Sequence, residues 1–286
     1  MENGLVIKKL ADKFWVKVGS STLVCSPKGK LKESGIYVGD RVKVDVNEQQ
    51  ITSVEDRKTL LIRPPLANID QIIIVIAPLP KPDFNIVDKL ILFALSYGIK
   101  PILCINKIDI ADHKFINEVF SAYKDVLEII KTSAKNGNVS ELKNVLIGKI
   151  SSFAGQSAVG KSALTKQILP DAKVDIGELS KIERGKHTTR HSELFEINNS
   201  TFLADTSGFT SLDERLLPIS YFELPLYYPD FLKYLENCKY RSCSHTKEEH
   251  CAVKEAVKVG ELDLARYNRY VVIYENLKKE WQKNHG

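Results

Sequence analysis

The stretch ISSFAGQSAVGKSALTK, residues 150–166, decides the fold. It passes from an apolar strand candidate, 150–154, through the pattern GxxxxGKS at 155–162 and into a helix-forming run that starts at Ser162. A strand that turns through a glycine-bracketed loop into a helix N-terminus makes a phosphate cradle, because loop N–H groups and the helix field converge on an anion. Gly155 and Gly160 let the backbone turn inward, and Gln156, Ser157, Ala158, Val159 and Ala163 complete the wall around the phosphates. Lys161 is placed to reach the β- and γ-phosphates, and Ser162 to ligate Mg²⁺. Such a strand–loop–helix unit belongs to a mostly parallel, doubly wound α/β sheet.

The base-reading motifs lie upstream of this loop. Asn106-Lys107-Ile108-Asp109 follows the apolar run 101–105, and Ser133-Ala134-Lys135 follows the run 126–130. Asp109 can accept from the N1–H and exocyclic amine of guanine, Lys107 can lie along the ring, and the Ala134 N–H can meet O6. Adenine offers an acceptor at N1, so the carboxylate repels it. Downstream, Asp205-Thr206-Ser207-Gly208 closes the strand candidate 201–204. There Asp205 can hold Mg²⁺ through water and the Gly208 N–H can meet a γ-phosphate. Four motifs at strand ends imply GTP and GDP as ligands. An ordinary small GTPase has the phosphate loop first; here the base readers come first and the metal motif last, the order of a circularly permuted P-loop GTPase domain.

Residues 183–191, ERGKHTTRH, stand where a first switch loop is expected. One threonine there can close the Mg²⁺ shell, and Thr189 is favoured over Thr188. Phe209 follows Gly208 where Ras-type enzymes carry the water-orienting glutamine, so unaided hydrolysis is expected to be slow. His187 is the candidate for positioning the attacking water and joins Lys161 as the catalytic pair; the alternative is a solvent-exposed loop histidine.

Upstream of the base readers, residues 4–54 read as five short strands, 5–7, 14–18, 22–25, 42–46 and 51–54, broken by turns. That pattern suggests an OB-type β-barrel. Residues 58–66, with Pro64-Pro65, read as a linker. Strand and helix candidates then alternate: 72–76, a helix at 87–97, 101–105, a helix at 115–123, and 126–130. Beyond residue 220 come a helix at 253–259 and a long one at 262–283. Leu264, Tyr267, Val271, Tyr274 and Leu277 form its apolar stripe, while Arg266, Arg269, Lys278 and Lys279 read as added positive charge. The expected units are 1–64, OB-type β-barrel; 65–212, permuted GTPase domain; and 213–286, α-helical zinc-binding domain.

Five cysteines are an odd number, and Cys238, Cys243 and Cys251 crowd together with His245. Three thiolates and an imidazole suit tetrahedral Zn²⁺, and a set supplied wholly by protein is structural rather than catalytic. His250 competes with His245, which is preferred. Cys25 and Cys104 lie in apolar runs and read as core residues.

At 286 residues and 43% hydrophobic, the chain can bury one nucleotide domain plus small appendages. Its net charge of +5 suits a phosphate-rich partner without requiring one. No apolar run approaches the ~20 residues that span a bilayer, and the start lacks a signal-like stretch. A soluble cytoplasmic protein with no membrane partner is expected. With no unexplained apolar face, a monomer is the default.

Together these parts resemble the ribosome small-subunit-dependent GTPase A family, the circularly permuted YjeQ/YloQ type. The likeness runs nearly end to end: the barrel, Asn68-Ile69-Asp70-Gln71, NKID, SAK, GQSAVGKS, GKHTTRH, DTSGF, the Cys/His cluster, the run from Cys251 to Ala256, and Ala265-Arg266-Tyr267. The resemblance implies a GTPase stimulated by the small ribosomal subunit and acting late in its maturation, with barrel and zinc domain on ribosomal RNA. Ser207 and His250 stand where the family usually has proline, and neither change removes an expected ligand. The alternative is a GTP-binding, RNA-binding scaffold with little intrinsic hydrolysis. An adenine-using kinase is disfavoured by NKID and SAK.

Overall fold

The computed structural model describes residues 1–32, 35–62, 64–170, 192–198, 200–205 and 217–285. Strands β1 (Glu2–Leu10), β2 (Lys13–Val18), β3 (Ser21–Pro27), β4 (Arg41–Asp45) and β5 (Gln50–Val54) match the five expected; four are longer and β4 is shifted by one residue. Period-two alternation places Val42 and Val44 of β4 wholly inside while Arg41 and Lys43 face solvent. The strands run β1-β2-β3-β5-β4, and β4 pairs back onto β1, closing a five-stranded barrel. Only β3 and β5 pair in parallel; the rest of the barrel is antiparallel. Val6, Phe14, Val16, Val18, Cys25 and Ile51 fill the interior.

The expected linker is structured. Strands β6 (Leu60–Ile62) and β7 (Pro65–Ala67) pair as a hairpin with Leu61 and Leu66 fully buried. Proline is excluded from central strands but tolerated at the start of an edge strand, so two leucines seeking burial outweigh it. The exit from the barrel is clamped as well. Buried Asp40 accepts from Arg57 at 2.7 and 2.9 Å and from the Tyr37 N–H at 2.8 Å.

The next unit alternates β8 (Gln71–Ile76), α1 (Phe84–Ser96), β9 (Lys100–Ile105), α2 (His113–Tyr123), β10 (Glu128–Lys131), α3 (Ser140–Leu146), β11 (Ile150–Ala154) and α4 (Lys161–Ile168). Strands β12 (Glu193–Asn198) and β13 (Thr201–Asp205) complete it. The order is β10-β9-β8-β11-β13-β12, parallel except for β12 against β13. Every residue of β8 is buried, as a parallel strand covered on both faces requires. Ile72, Ile74 and Ile76 pack with Leu90 and Ile91 of α1 and Tyr123 of α2; Ile73 and Val75 pack with Leu142 of α3 and Leu164 of α4. Each such isoleucine contributes roughly 1.5–3 kcal/mol. Helix α3 was not among the expected elements, being only two turns long. The barrel joins this sheet where β1 pairs with β12, flanked by ion pairs Lys8–Glu193 at 2.9 Å and Lys17–Glu196 at 2.7 Å.

The last unit is helical: α5 (Leu232–Leu235), α6 (Ala252–Lys258) and α7 (Leu264–His285). Its long helix corrects the expected stripe. Tyr274 and Leu277 are buried, but Leu264 is 59% exposed, and the innermost residues are Tyr270, Ile273 and Arg266. Arg266 is not surface charge: it bonds Asp88 of α1, and its Nε donates to Asp230 at 3.1 Å. Arg269 bonds Asp88 Oδ2, and the Tyr123 hydroxyl donates at 3.0 Å to Oδ1, the oxygen that Arg266 also bonds. Burial opposes the charge of Arg266, but Asp88 and Asp230 more than offset it and raise its pKa above the ordinary value. A guanidinium satisfied by two carboxylates can occupy a core position that hydropathy assigns to the surface. Among the described residues no helix is long and apolar enough to cross a membrane.

Candidate nucleotide site and metal centre

The loop between β11 and α4 needs both of its glycines. Gly155 has φ +125°, and a β-carbon there would lie 2.3 Å from the Val75 carbonyl oxygen; at Gly160, φ +103°, it would meet Asn106 Nδ2 at 2.3 Å. Lys161 arches over the loop, donating to the Gly155 and Gln156 carbonyls at 2.8 and 2.7 Å. Gln156 Oε1 accepts from the Asp83 N–H at 2.9 Å, at the N-cap of α1. Ser157 and Ala158 are exposed, Val159 is buried, and Ser162 and Ala163 lie in the first turn of α4. This is the loop expected from the sequence to be the phosphate cradle.

The base-reading loops are tied to that cradle by Asn106 and Lys107. Asn106 is 1% exposed; its Nδ2 donates to the Val159 carbonyl at 2.9 Å, and its Oδ1 accepts from the Thr132 hydroxyl at 3.1 Å and the Ala134 N–H at 3.2 Å. Lys107 Nζ donates to the Ala158 and Leu79 carbonyls at 2.9 and 2.7 Å. Asp109 stands exposed, and the Ser133 hydroxyl donates to it at 2.5 Å. That bond, followed by the charges of Lys135 and Lys107, holds its carboxyl below the ordinary range, so it is an anion at neutral pH. Lys135 is exposed beside the same loop.

Asp205 ends β13, whose parallel pairing with β11 sets Ala204 opposite Ser152 and so brings residue 205 beside the strand that leads into the phosphate loop. His187, Thr188, Thr189, Ser207, Gly208 and Phe209 lie outside the described residues.

Cys238, Cys243, His245 and Cys251 converge, with ligating atoms all within 4.8 Å of one another, as a group that could hold a metal ion. His245 Nδ1 lies 3.5 Å from Cys238 Sγ and 3.3 Å from Cys251 Sγ. His250, the other candidate, is not in the cluster. Burial pushes the Cys243 thiol up to about 12, raises Cys251, and lowers His245 so that its imidazole is neutral. The knuckle around them is held by groups with no sequence signal of their own. Burial opposes the charge of Glu248, yet bonds from the Ser244 N–H at 2.8 Å and Thr246 N–H at 3.1 Å pull its pKa down to about 2. From α7, the Tyr267 and Tyr270 hydroxyls donate to the His245 and Ser244 carbonyls at 2.9 and 2.6 Å.

A family model described as RsgA GTPase matches residues 54–215. The small ribosomal subunit biogenesis GTPase RsgA of Ruminiclostridium cellulolyticum is 39% identical over 292 residues, covering 97% of this chain and 94% of that protein. The protein of the same name from Caldanaerobacter subterraneus subsp. tengcongensis is 37% identical, covering 99% and 98%. Among solved structures, YjeQ from Thermotoga maritima superposes with a TM-score of 0.83 at 32% identity, over 96% of this chain and 98% of that one. YloQ, described as a circularly permuted GTPase, superposes with a TM-score of 0.81 at 28% identity, over 98% and 96%.

Proposed function

The chain belongs to the RsgA GTPase family, and on that premise we propose that it binds the small ribosomal subunit and hydrolyses GTP to GDP and phosphate late in the maturation of that subunit. The observation that carries the proposal is the Asn106 side chain. It joins the NKID loop, the SAK loop and the phosphate loop through three hydrogen bonds, although the chain meets them in permuted order.

Within this reading the N–H groups of residues 155–163 and the Lys161 ammonium receive the phosphates, an arrangement that offsets charge as it gathers on the β–γ bridge. Asp109 accepts from N1–H and the exocyclic amine of guanine, while Lys107 and Lys135 flank the ring. Ser162, Asp205 and Thr189 would hold Mg²⁺, which would supply positive charge against the phosphates. Gly208 is assigned to the γ-phosphate and His187 to positioning the attacking water.

Zinc is our assignment for the Cys₃His cluster. Its support is the 4.0 Å separation of the Cys238 and Cys251 sulfurs, near the ~3.8 Å edge of a tetrahedron with bonds of about 2.3 Å. With no ligand position left open, the ion would be structural. We take the units as 1–64, 65–212 and 213–286, the protein as a cytoplasmic monomer, and the barrel and zinc unit as the parts that touch ribosomal RNA. Co-sedimentation of the full chain with purified small ribosomal subunits tests the partner. Retention with a non-hydrolysable GTP analogue and release with GDP are expected; failure to sediment in either state would overturn the proposal.

A further inference from the structure

Gln167 lies on α4, near the far end of the helix from the phosphate loop, on a side that faces solvent. Its Nε2 nevertheless donates to the Ala134 carbonyl at 3.0 Å, in the loop that follows β10. We propose that Gln167 is a positioning residue for guanine recognition: it fixes the peptide whose neighbouring N–H reads O6, and it does so from the helix that carries the phosphate cradle. The proposal rests on the assignment of Ala134 to guanine O6 made above.

The geometry of the loop supports this role. Ser133 and Asn138 exchange backbone hydrogen bonds at 2.8 and 3.0 Å, which closes the loop's base. The Ala134 N–H donates to Asn106 Oδ1 at 3.2 Å, the long end of the ordinary range, and in recognition would be shared between that oxygen and guanine O6. The Ala134 carbonyl is the remaining handle on this residue, and Gln167 takes it. That bond adds a direct tie from the phosphate helix to the tie that Asn106 makes between the phosphate loop and Ala134. Asn106 and Lys107 tie the phosphate loop to the NKID loop; Gln167 ties the helix after it to the SAK loop. Without Gln167 the Ala134 residue keeps only its bond to Asn106, and its N–H would be held less firmly against O6 while Asp109, on a different loop, kept its aim at N1–H and the amine.

That separation of roles gives the test. Binding of GDP and of 6-thioguanosine 5′-diphosphate, which keeps N1–H and the 2-amino group but puts sulfur, a weaker acceptor, in place of O6, is measured on the full chain and on Gln167→Ala. A single neutral hydrogen bond corresponds to about a fivefold change in affinity. Gln167→Ala is expected to weaken GDP about fivefold and the 6-thio nucleotide by less than about twofold. Gln167→Lys, which keeps a donor for the carbonyl, should restore discrimination, and Gln167→Glu, which sets a carboxylate against it, should lose at least as much as alanine. Equal weakening of both nucleotides, or no weakening of GDP, overturns the role of Gln167. A wild-type protein that binds the two equally overturns the O6 assignment itself, and the proposal with it.

Discussion

Replacing Arg266 by methionine should loosen the helical unit from α1 more than any exposed ion pair could. The side chains of Arg266, Asp88 and Asp230 are 2%, 0% and 7% exposed, so water cannot take over when one partner is removed. Methionine fills much of the volume but leaves Asp230 unpaired and Asp88 with only Arg269 and the Tyr123 hydroxyl. Breaking a buried pair from one side costs about 3–5 kcal/mol, a large part of the ~5–15 kcal/mol that holds an ordinary domain together. The guanidinium also lies 4.7 Å from the Tyr228 ring and 5.4 Å from that of Tyr123, and those contacts go with it. Trp281, whose ring packs edge-on against Tyr221 at 5.7 Å, reports on α7 once Trp15 is replaced by phenylalanine. For a slope near 2 kcal/mol/M, the urea midpoint seen by Trp281 should fall by about 2 M. Combining Arg266→Met with Asp88→Asn and Asp230→Asn should recover part of that loss, because the stranded charges disappear. A shift of less than about 0.5 M for Arg266→Met alone would refute the reasoning.

Asp109→Asn turns an acceptor into a donor where guanine presents an amine; GDP affinity should fall roughly 100-fold and xanthosine diphosphate, with an oxygen at that position, should gain, as competition binding would reveal. For Gly155→Ala, φ of +125° and a β-carbon 2.3 Å from the Val75 oxygen mean the cradle cannot form as it stands; nucleotide affinity should drop about 10- to 100-fold by equilibrium dialysis, and unchanged binding would show that the loop adapts. Cys243→Ser should abolish bound zinc by elemental analysis and lower the urea midpoint of Trp281; retained stoichiometric zinc would contradict the ligand assignment. Lys8→Ala, at an exposed pair with Glu193, should change stability by less than about 1 kcal/mol in the same urea titration.

The sheet was legible because its strands are uniform apolar runs ending in motif residues, so both period and punctuation point the same way. The Cys₃His cluster was legible because its three cysteines and one histidine fall within fourteen residues. What stayed hidden are pairings across long stretches of chain. Nothing near Arg266 announces that it meets Asp88, 178 positions away, and a guanidinium on a helix is ordinarily a surface group. Gln167 is equally silent, since a glutamine on a short helix carries no period or motif. The hairpin at β6–β7 was obscured by Pro64-Pro65, whose effect on backbone conformation is strong, whereas the burial of Leu61 and Leu66 depends on what the barrel places against them. Local patterns report what a residue prefers; partners distant in sequence decide these cases.

In the function proposed, the permuted motifs form one guanine-specific pocket whose chemistry waits for the small ribosomal subunit. Phosphate release from GTP and from ATP, each with and without purified small ribosomal subunits, tests it most directly. Slow GTP turnover by the chain alone, marked acceleration by the subunits, and no ATP turnover in either condition are expected. Comparable use of ATP, or GTP turnover indifferent to the subunits, would contradict it.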